Sequence, residues 1–170
     1  MRAVDVANKF IAEFGTDAVL SNLSLNKLVY FAQVESLRAQ GVPLFDDAVE
    51  AWEFGPVEPS VYHAFKNRGR GRVLRPSGPV PTDPRTEKVV ASTFEKYGRM
   101  TAFDLVTFSH RKGGAWRNAY VQGRDAEITP EDILSSTDGI EYPEFAGTLA
   151  SGMQKVGEEI PNTFKLLRNS

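Results

Sequence analysis

Leu25-Asn-Lys-Leu-Val-Tyr-Phe-Ala-Gln33 is the stretch on which the fold turns. At 100° per residue, Leu25, Leu28, Val29 and Ala32 share one side of a helix. Tyr30, Val34 and Leu37 lie across the other side, and Phe31 falls further round. A helix apolar over so much of its circumference is buried against several neighbours. The stretch therefore predicts a central helix, with Ser24 as its N-cap and Gly41 as its end.

Working outward, Val6, Phe10, Ile11 and Phe14 recur at helical spacing before Gly15, so an amphipathic helix comes first. Downstream, Ala51-Trp-Glu-Phe54 alternates weakly and predicts a short strand, stopped by Gly55-Pro56. Pro59 suits the first turn of a new helix, which runs to about Asn67-Arg-Gly69. Residues 68–84, rich in Gly and Pro, read as a loop with a second short strand around Arg72-Val-Leu74. Asp83-Pro84, Thr101-Ala-Phe-Asp104 and Thr129-Pro-Glu-Asp132 are helix starts. Phe145, Leu149, Met153, Val156 and Ile160 predict a last helix over 142–160, interrupted by glycines. The expected fold is mainly α: one compact helical domain over residues 1–170 with a small β-hairpin-like element.

Bulk properties narrow the function. The chain has 170 residues, enough for one domain with a real core. Hydrophobic residues make up 41% and charged residues 25%, which predicts ordinary globular folding. The net charge of −2 argues against global attraction to nucleic acid or anionic lipid. Without cysteine there is neither a disulfide nor a thiolate metal site. The start of the chain has no signal-peptide block, and no stretch reaches membrane-spanning length, so a soluble cytoplasmic protein with no membrane partner is expected.

Catalytic motifs are scarce. His63 and His110 stand far apart with no metal-ligand spacing, and no metal or cofactor is expected. Ser109 adjoins His110, but neighbours on a helix point in different directions. Neither Gly113-Gly114 nor Gly69-Arg-Gly71 fits a phosphate loop. Charge gives a better signal. Lys66, Arg68, Arg70, Arg72 and Arg75 precede the next acidic residue, Asp83. This run is either a solvated, flexible loop or a patch that meets an acidic partner or a phosphate backbone. The acidic overall balance favours a protein, or an RNA-like target, over long duplex DNA. Most aromatic residues belong to the core by their spacing. Trp116, after a glycine pair and before polar residues, is either a lid on the core or an interface anchor.

Three blocks then coincide. Leu25-x-Lys27-Leu28-x-Tyr30-Phe31-Ala32-Gln33 is the first. Pro43-Leu-Phe45, leading to Ala51-Trp-Glu-Phe-Gly-Pro-Val57-x-Pro59-x-Val61-Tyr62-x-x-Phe65, is the second. Tyr97-Gly-x-x-Thr101-Ala-Phe-x-Leu105, with His110 and Trp116-x-x-Ala119-Tyr120, is the third. Together they resemble the Panacea domain family, which includes SocA-like and GepA-like proteins, over about residues 3–135. Residues 140–170 form a C-terminal helical extension outside it. Gly113-Gly114-Ala115 departs from the family, which often has Gly-Pro or Pro before the Trp.

The resemblance implies an antitoxin, encoded beside a toxin in bacteria or phages, that neutralises its cognate protein toxin by direct contact. Some members look like adaptors that carry the toxin to an ATP-dependent protease. No catalytic residues carry over, so a non-enzymatic protein is expected. The expected contact regions are the basic loop (Lys66, Arg68, Arg70, Arg72, Arg75) and the surface around Trp52, Tyr62, His110 and Trp116. A nucleic-acid-binding module using the basic loop is the further alternative.

Overall fold

A computed structural model describes residues 1–159 of the chain. Helix α1 (Ala3–Phe14) is followed by α2 (Asn22–Gln40). Strands β1 (Val49–Trp52) and β2 (Gly55–Val57) then form a hairpin. Helix α3 (Pro59–Phe65) ends in a 3-10 turn over Lys66–Arg68. After a loop come α4 (Pro84–Tyr97), α5 (Ala102–Ser109) and α6 (Ala115–Ala119). Strand β3 (Ala126–Ile128), α7 (Pro130–Ser135) and α8 (Leu149–Glu159) complete the described residues. The sheet is antiparallel in the order β2-β1-β3. The fold is mainly α with a small hairpin-based sheet, as the sequence predicts.

Helix α2 is the hub. It packs on α1, α3, α4, α5, α7 and β2. Leu25, Leu28, Val29, Tyr30, Phe31, Ala32, Val34 and Leu37 are all buried, which is what the all-round apolar pattern requires. The Phe31 ring stacks on Tyr97 of α4 at 4.2 Å. Polar groups on α2 fix its neighbours. Gln33 Oε1 accepts from the Leu44 and Phe45 amides, and its Nε2 donates to the Phe45 carbonyl. This side chain pins the connection from α2 to β1. The Tyr30 hydroxyl donates to Asp138 Oδ2, which also accepts from the Ala115 amide. One buried carboxylate thus joins α2, α6 and the segment after α7.

Four local expectations change. The N-cap of α2 is Ser21, whose hydroxyl accepts from the Ser24 amide, while the Ser24 hydroxyl accepts from the Ser21 amide. Ser24 is therefore the third helical residue, because the reciprocal Ser21–Ser24 pair places the cap three residues before it. Gly55-Pro56 does not end the β element. It opens β2, with Trp52 paired to Gly55 across a Glu53-Phe54 turn. Arg72-Val-Leu74 forms no strand; only the Val73 amide is paired, to the Leu20 carbonyl. The last helix begins at Leu149 rather than near Tyr142, because the Thr148 hydroxyl caps the Ser151 amide. Phe145 instead lies under the Arg99 guanidinium, and Ile160 lies outside the described residues.

Candidate functional site

The β1–β2 hairpin sits on the N-terminal half of α2 because three polar side chains of that helix reach it or the helix that follows. Lys27 Nζ donates to the Pro56 carbonyl at 2.8 Å. Asn26 Oδ1 accepts from the Glu58 amide, which has no helical partner at the start of α3. Asn22 Nδ2 donates to the Tyr62 carbonyl, and Asn26 Nδ2 bonds back to Asn22. Gly55 has φ of +104°, and a Cβ there would stand 2.7 Å from Ser109 Oγ and 2.9 Å from Lys27 Cε. Only glycine lets β2 lie this close to α2 and α5.

Aromatic rings cover the hairpin. Trp116 Nε1 donates to the Trp52 carbonyl at 2.7 Å. The Trp116 indole is sandwiched between His110 at 3.6 Å and Tyr120 at 4.7 Å. On the opposite flank, Trp52 meets Tyr62 edge-on at 5.0 Å, and its Nε1 donates to Glu50. The structure thus brings Tyr62 of α3, His110 at the end of α5 and Trp116 of α6 around Trp52 and the hairpin. Gly113, in the departure from the family pattern, has φ of +83°, a conformation that favours glycine, and Gly114 caps α6 just before Trp116.

Two recesses flank Trp52 and Glu53. One, of about 400 Å³, is lined by Leu23, Asn26, Trp52, Phe54, Tyr62 and Gly69 among others. The other, of about 340 Å³, reaches Tyr120, Gln122 and Arg124. Phe54 projects at the turn with 62% of its surface exposed.

The basic run divides. Lys66, Arg68, Arg70 and Arg75 are exposed and form no ion pair among the described residues. Arg72 is occupied: its Nη2 donates to the Gly15 and Thr16 carbonyls. With Val73 buried beside it, Arg72 anchors the loop to the α1–α2 connection. The loop is therefore tethered at its middle despite its glycines.

Titratable groups lie beneath this face. Burial pushes the Lys27 amine down to about 7, against its ordinary 10.5. Burial, then Asp47 and Glu50, raises Glu58 well above the carboxylate range, and among the described residues neither of its carboxyl oxygens has a hydrogen-bond partner. Burial, then Lys27, lowers His110, whose Nε2 also lacks a hydrogen-bond partner among the described residues. Ser109 Oγ donates to the Val106 carbonyl, so it is engaged with its own helix. Asn22, Asn26, Lys27 and Glu58 are the residues of this face that sequence reading missed. The signal was present, since Asn22, Asn26 and Lys27 fall within the first turns of a helix whose neighbouring positions Leu25, Leu28 and Val29 are apolar. Among the described residues no cluster of His, Cys, Asp and Glu could hold a metal ion, and no helix is long and apolar enough to cross a membrane.

Fold and face define a mainly helical protein in which one buried helix carries an aromatic hairpin. The family described as Antitoxin SocA-like, Panacea domain, matches residues 25–117, from the hub helix through Trp116. The chain belongs to this family. A curated relative, Antitoxin SocA of Caulobacter vibrioides (strain NA1000 / CB15N), is 36% identical over 112 residues, 59% of this chain. The chain spans 60% of that relative's length. No solved structure matches the chain.

Proposed function

We propose that this protein is an antitoxin that neutralises a cognate protein toxin by direct contact, using the hairpin face. One observation carries the reading. Phe54 on the hairpin turn and Tyr62 on the adjoining α3 stand exposed, and the backbone of the hairpin is held by Lys27 and Trp116. Aromatic side chains on a pre-organised scaffold bury large area at low entropic cost. The Lys66, Arg68 and Arg70 charges beside them would steer the choice of partner more than set its affinity. The family and the relative's name support the antitoxin role.

Co-expression with the toxin encoded alongside tests it. Growth is restored and the two proteins co-elute as one complex, while Phe54→Ala weakens the complex at least tenfold. Continued growth arrest with no complex would refute the proposal. Toxin half-life separates neutralisation by contact from delivery to an ATP-dependent protease: contact alone leaves it unchanged when the protease is deleted.

A further inference from the structure

The groove between the hairpin and the turn after α3 has an uneven chemical character. Its walls are apolar, made by Leu23, Trp52, Phe54, Val57 and Tyr62. Its polar floor residues are already spent on the protein. Asn22 and Asn26 bond each other, the Tyr62 carbonyl and the Glu58 amide. The groove therefore offers contact area but few free hydrogen bonds, which selects an apolar anchor. At about 400 Å³ it has room for one aromatic side chain.

Charge is lopsided around it. Gly69 lines one edge, with Arg68 and Arg70 as its chain neighbours and Lys66 one turn before, its carbonyl accepting from the Gly69 amide. These three side chains are exposed and pair with no carboxylate among the described residues. Glu53, on the hairpin side, is the acidic residue among those lining the groove. Three exposed cations flank Gly69 in the chain at one edge, and Glu53, with Glu50 held on the Trp52 indole, stands on the hairpin side.

We infer that this groove takes a toxin segment bearing one aromatic side chain next to carboxylates: the ring seats in the groove against Leu23, Phe54 and the Trp52–Tyr62 pair, and the carboxylates face Lys66, Arg68 and Arg70. The inference rests on the toxin-binding reading and adds the chemistry of the segment that is recognised. The aromatic insertion supplies affinity, and the charges supply orientation and salt dependence.

The test uses the full chain and two blocked pentapeptides, one with a central tryptophan flanked by aspartate and glutamate, the other by lysines. Amide spectra of the ¹⁵N-labelled protein are followed during titration. The acidic peptide shifts Asn26, Val57 and Gly69 saturably, and its affinity falls at least fivefold between low and physiological salt. The lysine peptide binds at least tenfold more weakly. The Arg68→Ala/Arg70→Ala protein loses at least fivefold affinity for the acidic peptide with an unchanged melting temperature. Equal affinity for the two peptides, shifts centred elsewhere, no binding by either, or tighter binding of a single-stranded oligonucleotide overturns the inference. Full protection of cells by the double variant, with no peptide binding by wild type, discards the inference and leaves the proposed function standing. Failure of wild type to protect cells, with peptide binding intact, discards the function alone.

Discussion

The indole N–H of Trp116 donates to the main-chain carbonyl of Trp52, 64 residues earlier in the chain. This bond ties α6 to the last residue of β1, beside the turn that carries Phe54. Trp116 is 4% exposed, and its loss removes a donor from a part-buried carbonyl at the end of β1. The aromatic sandwich of His110, Trp116 and Tyr120 holds the donor in place.

Trp116→Phe keeps an aromatic ring but removes the donor. A stability loss of about 1–3 kcal/mol is expected in urea unfolding. Toxin binding should weaken as well, because the hairpin loses one of its two braces. Unchanged stability and unchanged affinity together would show that the bond is incidental to the face.

Gly55→Ala introduces a methyl group between Ser109 and Lys27, at a backbone conformation that L-residues rarely adopt. The combined overpacking and backbone strain should cost about 2–4 kcal/mol. Chemical denaturation reads the loss directly. A variant as stable as wild type would mean that β2 moves away from α2 freely, contrary to the tight packing seen.

Lys27→Met isolates the buried amine. The folded value of about 7 lies below the ordinary 10.5, so between these limits the unfolded chain binds a proton that the folded chain does not. Wild-type stability from this group therefore rises with pH across that window and is lost as pH falls towards 7. Relative to Lys27→Met, wild type should gain roughly 1 kcal/mol per pH unit between pH 7.5 and 9.5. Parallel stability curves for the two proteins would exclude a depressed amine.

Glu58→Gln tests the opposite sign. The folded carboxyl is raised, so its contribution is full below the ordinary value of 4.5 and is lost as pH rises through the folded value. The amide has nearly the same shape and carries no charge. The variant should match wild type near pH 4 and exceed its stability by about 1–3 kcal/mol at pH 8, by thermal unfolding. A variant less stable than wild type at pH 8 would mean that the ionised carboxylate has a partner that holds it.

Much of the helical frame was legible in the chain because its signals are local. Asp83 before Pro84, Thr101 with Asp104, and Thr129 with Asp132 cap the helices they predict, and each works within a single turn. The Ser21 cap was hidden, since Ser24 stands nearer the first apolar residue and makes the reciprocal half of the same motif. The hairpin was half legible. Gly55-Pro56 carries a strong turn signal, but its place in β2 depends on pairing with β1 and on close approach to Lys27 and Ser109. Strand β3 pairs with β1 from far along the chain, and three residues with no alternation give no local sign of it.

The sequence by itself determined a buried hub helix, the caps around it and a predominantly helical architecture, because apolar periodicity and capping act over a few residues. Tertiary structure alone decided how Tyr62, His110 and Trp116, expected on one surface with Trp52, pack around the hairpin from α3, α5 and α6, and that Arg72 is spent on carbonyls while Arg68 and Arg70 form no ion pair among the described residues. It also decided that Lys27 and Glu58 are sealed from water. The physical reason is that partner and solvent access belong to the packed surface: a charged side chain's environment is set by residues tens of positions away, which local spacing does not encode.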